Sequence, residues 1–277
     1  MHIKTITPLQ TGWRFYRGAY PVPPGAKTQT VDLPHTWNAV DGQDGGGDYF
    51  RGECCYVKTI RLQKKENTLY YLAFYGVNSV CNLYVNGVHI GEHRGGYTLF
   101  RFNITGALKS GENEIIVSVS NFPFPDVIPL TADFTFFGGI YREVNFIEVS
   151  GAHFSLEEFG SDGVLVTYPN TPQIAKSAQV TVRAAIKGAG IGCRLRVSIS
   201  QADPFVPCMG IDQPDFELEQ LTDPAQQTVA EAETEITSAQ TALTLCVASP
   251  HLWNGRKAPF RYKVRCEILQ NGSVCDC

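Results

Sequence analysis

Apolar and polar residues alternate along most of this chain, and a two-residue period predicts strands. In the first half such runs fall at residues 54–62, 69–75, 80–85, 97–104, 113–120 and 140–149. In the second half they fall at 154–159, 163–168, 177–186, 193–200, 241–248 and 260–269. Val180, Val182 and Ala184 share one face, and Leu195, Val197 and Ile199 share another. Residues 228–236 fit two periods: Val229, Ala232 and Ile236 a helix face, Thr228, Val229, Thr234 and Ile236 a strand. The strand is favoured. Residues 1–30 read as irregular, anchored by Trp13, Phe15 and Tyr16 and broken by Pro21, Pro23, Pro24 and Gly25. Residues 31–38 read as a short strand ending at a proline.

Turn chemistry punctuates these runs. Asn86-Gly87 between Leu83-Tyr84-Val85 and Val88-His89-Ile90 predicts a two-residue hairpin, because a type I′ turn needs positive φ at both central positions. Gly188-Ala189-Gly190-Ile191-Gly192 joins two apolar runs and also reads as a hairpin turn. Residues 201–224 are polar and proline-containing, a long loop. Short strands with turns between them and few helical periods predict an all-β protein. A sandwich is expected over residues 1–150 and an immunoglobulin-like sandwich over 151–277, from seven or so strands in the second part.

Composition changes this picture little. The 277 residues are 43% hydrophobic and 18% charged, ordinary for a globular protein. The net charge of −4 gives no basic footprint for nucleic acid. No apolar run reaches the roughly 18 residues of a membrane span, and Met1-His2-Ile3-Lys4-Thr5 does not open a signal peptide. A cytoplasmic location is expected. Nine cysteines, an odd number, include Cys81, Cys246 and Cys266 inside apolar runs, which predicts buried free thiols. Cys54-Cys55 and Cys275-Asp276-Cys277 could bind a soft metal, but no partner pair stands at ligand spacing.

Candidate chemistry is sparse. Asn113-Glu114 reads as the entry to a strand. His89 and His93 are four apart, but a hairpin there removes the helical face that a zinc motif of that spacing requires. His35 reads as a packing or hydrogen-bonding residue. The richest stretch is Asp133-Phe134-Thr135-Phe136-Phe137-Gly138-Gly139-Ile140-Tyr141-Arg142-Glu143-Val144. Its glycine pair predicts a bend that a Cβ would obstruct. Asp133 with Phe134, Phe136, Phe137 and Tyr141, and Asp41, Asp44, Asp48 and Tyr49 in the 41–51 loop, offer the acids and aromatic faces that bind sugars. The phenylalanines are read first as closing the end of a sandwich. Asn103-Ile104-Thr105 and Asn271-Gly272-Ser273 match the glycosylation sequon and carry nothing in a cytosolic protein.

Several motifs, in order, resemble the non-catalytic N-terminal part of glycoside hydrolase family 2, the β-galactosidase and β-glucuronidase group. They are Leu33-Pro34-His35-Thr36-Trp37-Asn38, Tyr49-Phe50-Arg51-Gly52 with Tyr56, Leu83-Tyr84-Val85-Asn86-Gly87 with Gly91, and Gly95-Gly96-Tyr97 with Phe102. Gly111-Glu112-Asn113, residues 138–144 and Pro250-His251-Leu252-Trp253-Asn254-Gly255 continue the series. Cys55 departs from it, standing where the family usually has an aromatic residue. The resemblance implies a jelly-roll, galactose-binding-like domain over 1–150, an immunoglobulin-like domain over 151–277, and a TIM barrel bearing the catalytic glutamates beyond Cys277. It further implies a retaining β-galactosidase as the whole enzyme, with no catalytic residue and no cofactor in this part. Asp133 matches an acid that contacts the sugar and, in some members, a cation, so Mg or Na is expected in the whole enzyme. Expected partners are a β-galactoside and the barrel itself, with neither nucleic acid nor membrane. An apolar face left where the barrel docks could drive formation of a homo-oligomer. A stand-alone carbohydrate-binding module and a structural scaffold are the alternatives.

Overall fold

The computed structural model describes residues 4–41, 48–131, 134–168, 176–201, 227–253 and 260–277. Asp133, Asp44, Cys208 and almost all of the expected 201–224 loop lie outside these residues. The described residues form strands and no helix. The chain divides into two compact units. One comprises His2–Ser150 with Leu156–Ser161, the other Gly151–Ser155 with Asp162–Cys277 and Met1.

The N-terminal unit contains β1 (Lys4–Pro8), β2 (Trp13–Tyr16), β3 (Gln29–Val31), β4 (Glu53–Leu62), β5 (Thr68–Phe74) and β6 (Val77–Asn78). It continues with β7 (Val80–Val85), β8 (Val88–Arg94), β9 (Phe100–Asn103), β10 (Gly111–Ser120), β11 (Gly139–Ile140) and β12 (Val144–Ser150). A four-stranded sheet runs β1-β12-β5-β9, a six-stranded sheet runs β3-β2-β4-β10-β7-β8, and β11 pairs with β6. Every pairing is antiparallel. Tyr70, Leu72, Phe74 and Phe146 of the smaller sheet pack with Trp13, Tyr56, Leu83, Val117 and Val119 of the larger.

Strand β5 reads as continuous apolar sequence because both of its faces are covered. Tyr71 and Ala73 turn away from the main core and pack with Ile147, Val149 and Leu156. The Tyr71 hydroxyl donates to Glu157 at 2.9 Å. Strand β4 separates its two cysteines in the same way. Cys54 joins the inter-sheet core, while Cys55 packs outside with Val57 and Ile116 beneath Tyr16, Tyr20, Val22 and Tyr84. Consecutive strand residues point to opposite faces, so these two thiols cannot converge on one metal. Burial pushes both up to about 12.

The C-terminal unit contains β13 (His153–Phe154), β14 (Val164–Thr167), β15 (Ser177–Lys187), β16 (Arg194–Gln201), β17 (Thr228–Glu235), β18 (Gln240–Ala248), β19 (Tyr262–Gln270) and β20 (Ser273–Asp276). In one sheet β15 pairs with β13, β14 and β18, and the other runs β17-β16-β19-β20. Val182, Ala184, Ile186, Leu245 and Val247 of the first sheet pack with Leu195, Val197, Ile199 and Ile268 of the second. Residues 228–236 resolve as the strand β17, ending at Glu235.

Several expectations need correction. The irregular N-terminus holds β1 and β2, and only Gln29–Val31 of the neighbouring segment is strand. The glycine-rich turn at 188–192 does not make a hairpin. Strands β15 and β16 belong to different sheets, so the turn carries the chain across the sandwich. Strand β13 stops at Phe154, and Phe159 sits fully exposed with φ of 49°. Cys246 is exposed, because it takes an outward position on a strand with one wet face, whereas Cys266 faces the core of this unit and is half buried there. The strand β20 had no counterpart in the sequence reading.

An ion ladder crosses β16, β17 and β19. Glu267, 7% exposed, accepts from Arg196 at 2.6 Å and Arg265 at 2.9 Å. Arg196 and Arg194 also reach Glu233, at 3.7 and 3.1 Å. Burial pulls the Glu267 carboxyl up, but the two guanidiniums outweigh it and hold the group below the ordinary glutamate value. A carboxylate depressed in the folded state contributes stability that is complete above its unfolded value. That contribution is lost as pH falls through the folded value. Glu267→Gln is therefore expected to weaken the C-terminal unit at pH 7 and to flatten its loss of stability in acid. Urea denaturation at pH 7 and at pH 3–4 checks this, and parallel pH profiles for the two proteins would sink it.

Candidate functional site

The 138–139 glycine pair is the hinge of the site. A Cβ on Gly138 would lie 2.1 Å from Cζ2 of Trp37 and 2.9 Å from Cγ of Asn121. Gly139 has φ of 133° and pairs with Asn78 in the β11–β6 ladder. A Cβ there would lie 2.5 Å from the His35 carbonyl oxygen and 2.6 Å from the Tyr56 hydroxyl. The expected bend is present and tightly walled.

Two buried asparagines hold the aromatic segment before this bend. Asn38, fully buried, donates from Nδ2 to the Phe136 carbonyl at 3.1 Å and accepts from the Gly138 N–H at 2.9 Å. Asn121, 4% exposed, accepts from the Gly52 N–H at 2.8 Å and donates to the Phe50 carbonyl at 3.0 Å. Asn78 donates to the Phe137 carbonyl at 2.6 Å. The segments around residues 38, 50, 78, 121 and 137 are thereby tied at one end of the sandwich. His35 belongs to the same floor. Its Nδ1 lies 2.8 Å from the Tyr56 hydroxyl, and burial keeps its ring below the ordinary histidine value. It packs between elements, as expected.

Above this floor lies a cleft of about 150 Å³. Arg51, Asn78, Asn121, Tyr97 and Phe136 line it together with the 122–131 segment. That segment is pinned where Asp126 takes two hydrogen bonds of 2.7 Å from Arg94 and where Val127 is buried. Tyr97, Phe122, Ile128, Leu130, Phe134 and Phe137 are half to three-quarters exposed around it. Aromatic faces beside amide and guanidinium groups are the materials of polyol recognition.

The sequence candidates separate clearly. Tyr49 and Phe136 meet edge to face at 6.4 Å, so the 41–51 loop and the 134–137 segment do come together. Asp41 is spent on the Phe50 N–H at 2.9 Å and Asp48 on the Tyr49 N–H at 2.9 Å. Tyr141 is structural: its ring lies against Gly76 and its hydroxyl donates to the Gly96 carbonyl. Phe134 and Phe137, 57% and 46% exposed, do not close the sandwich end. Asparagines hold the backbone of Phe136 and Phe137, while the Phe134 and Phe137 rings stand outward. Asp133 lies outside the described residues, so its place is not part of this geometry. Asn113 is buried at the base of the β7–β8 hairpin, accepting from Asn86 at 2.8 Å, which is the strand-entry role expected of it. His89 and His93 bond separately, to Asn82 and Thr98. Asn121 and Asn78 carried no signal in the sequence; Asn38 and Arg51 stood inside recognised motifs without a role.

An all-β chain with an aromatic-lined cleft at the end of its N-terminal sandwich is the class that fold and site define. Residues 29–150 match the family model described as glycosyl hydrolases family 2, sugar binding domain, and the chain belongs to that family. It is 34% identical over 271 residues to a beta-glucuronidase of Bacteroides fragilis, covering 97% of this chain and 36% of the relative. A beta-galactosidase of Thermoanaerobacter pseudethanolicus is 36% identical over 121 residues, 42% of this chain and 16% of the relative. The crystal structure of an FMN-binding beta-glucuronidase from Facaelibacterium prausnitzii superposes with a TM-score of 0.77 at 30% identity, covering 100% of this chain and 38% of that one. The chain thus spans little more than a third of the length of the relatives that it matches from end to end.

Proposed function

We propose that this chain is the sugar-binding, non-catalytic N-terminal part of a family 2 enzyme that hydrolyses terminal β-glycosides with retention. In this reading the N-terminal unit is the jelly-roll domain and the C-terminal unit the immunoglobulin-like one. The two catalytic carboxylates such hydrolysis requires sit on a barrel elsewhere in a longer polypeptide, and the N-terminal unit helps to shape the active site. The supporting observation is the end-to-end match to a beta-glucuronidase of which this chain spans 36%. That match favours β-glucuronides as substrates. β-Galactosides are the second reading, favoured by the motif series and by the shorter match to a beta-galactosidase. Asp133 is proposed to contact the sugar or a Mg or Na ion. No cluster of three or more histidine, cysteine or acidic side chains that could hold an ion falls among the described residues.

Nitrophenyl β-glucuronide and β-galactoside, offered separately, test the proposal. The 277-residue chain is expected to release nitrophenol from neither. The product of a reading frame running several hundred residues past Cys277 is expected to release it, faster from the glucuronide. Turnover by the 277-residue chain itself would overturn the non-catalytic reading.

A further inference from the structure

Just past β18 the C-terminal unit presents two large apolar side chains to solvent. Leu252 is 51% exposed and Trp253 67%. The other two tryptophans of the chain lie in the N-terminal core, Trp13 fully buried and Trp37 partly so. An indole left in water forgoes the burial of roughly 150–250 Å² of ring surface.

The segment that carries this pair is firmly rooted. Ser249, with φ of 47°, turns the chain off β18, and its N–H donates to the Lys176 carbonyl at 3.0 Å. The His251 N–H donates to the Tyr262 hydroxyl at 2.8 Å. The His251 ring packs on Phe260 at 4.5 Å, and the buried Phe260 ring meets Tyr262 edge to face at 5.0 Å. Residues 249–251 are thereby fixed to the entry of β19, and the next two side chains stand clear of that root. A tryptophan held outward on a fixed segment has the make-up of an interface anchor, since its position is set before the partner arrives.

Two observations bear on what covers it. The end-to-end match spans 36% of the Bacteroides fragilis relative, so nearly two-thirds of that protein has no counterpart here. Asp276 pairs with Ile268, six residues along β19 from Tyr262, so whatever follows Cys277 starts roughly 20 Å from the root of the pair. A domain joined there meets Trp253 at the high effective concentration of a short tether, whereas a second copy has to be met in dilute solution.

We propose that Leu252 and Trp253 anchor the C-terminal unit on the domain that follows Cys277. The partner surface is an apolar recess wide enough for an indole, with an oxygen acceptor for the indole N–H. This inference rests on the reading of the chain as part of a longer polypeptide, and it names the residues that join the two parts.

The 277-residue chain and the product of the longer reading frame, both carrying fluorotryptophan, test it by fluorine NMR. The Trp253 resonance is the one lost in Trp253→Phe. A soluble nitroxide is expected to broaden it strongly in the 277-residue chain and several-fold less in the longer product. Trp253→Ala is expected to lower the melting temperature of the longer product by several degrees and to leave that of the 277-residue chain unchanged, because its contacts come from the partner. Failure of the alanine variant to fold in the longer product alone is the same result. Equal broadening in the two proteins, or equal melting shifts, overturns the docking. It leaves the proposed function standing, since hydrolysis of the nitrophenyl glycosides by the longer product is scored separately. Dimerisation of the 277-residue chain that Trp253→Ala abolishes assigns the anchor to a second copy and overturns the proposal. A reading frame that stops at Cys277 overturns this inference and the proposed function together.

Discussion

Gly139→Ala is expected to destabilise the N-terminal unit by at least about 3 kcal/mol and to lower its melting temperature by roughly 10 °C. Two independent costs combine there. The φ of 133° is one that an L side chain rarely adopts. The new methyl would also lie 2.5 Å from the His35 carbonyl oxygen and 2.6 Å from the Tyr56 hydroxyl. A carbonyl is backbone and cannot swing aside, so β11 would have to leave β6. Gly87 provides the control. It has φ of 80°, and nothing lies within 4 Å of its missing Cβ. There the same change should cost only about 1 kcal/mol, the conformational part alone. Calorimetric melting of the two variants separates packing from torsion, and equal shifts would contradict the steric argument.

Asn121→Ala is expected to cost about 2–4 kcal/mol, more than its size suggests. Its side chain is the acceptor for the Gly52 N–H and a donor to the Phe50 carbonyl. Truncation strands polar backbone in a place that water reaches poorly, and removing one partner of a buried pair costs more than never having made it. Asn121→Asp discriminates within the pair. A carboxylate can still accept from Gly52, but at this buried position it faces the Phe50 carbonyl oxygen and is repelled, so at pH 7 its loss should be at least that of the alanine variant and should shrink in acid, where the protonated carboxyl can donate. Urea denaturation measures both. Because Asn121 also lines the cleft, sugar binding should weaken in the alanine variant under conditions where it remains folded.

The β7–β8 hairpin was legible because Asn86 and Gly87 adopt φ of 51° and 80°, as a type I′ turn requires. Asn271-Gly272 has the same signature, with φ of 52° and 76°, and turns β19 into β20. The turn signature that specifies this strand thus stands in the sequence, overlaid by the Asn271-Gly272-Ser273 sequon. Strand β1 was not available. Four of its five residues are exposed, so it has no buried face to impose a period. The 188–192 turn was ambiguous in principle, since a glycine-rich connection serves a hairpin and a sheet crossing equally well. In the site, the Gly138-Gly139 bend was visible because steric need leaves a compositional mark. The Asn38 and Asn121 clamps were not, because their partners lie 98 and 69 residues away and an asparagine in a polar loop looks like any other.

The cysteines of β4 have a practical consequence. Cys54, Cys55 and Cys81 are fully buried, on β4 and β7 of one sheet, and Cys54 and Cys55 occupy its two opposite faces. Burial holds all three far above the range in which a thiol ionises at neutral pH. Each can react with an alkylating agent only while its surroundings are open. The rates at which Cys54 and Cys55 are captured therefore time two different motions: parting of the two sheets for Cys54, with Cys81 in the same core, and lifting of the 16–22 segment for Cys55. The unit carries its own stopwatch for local opening, with no foreign label introduced.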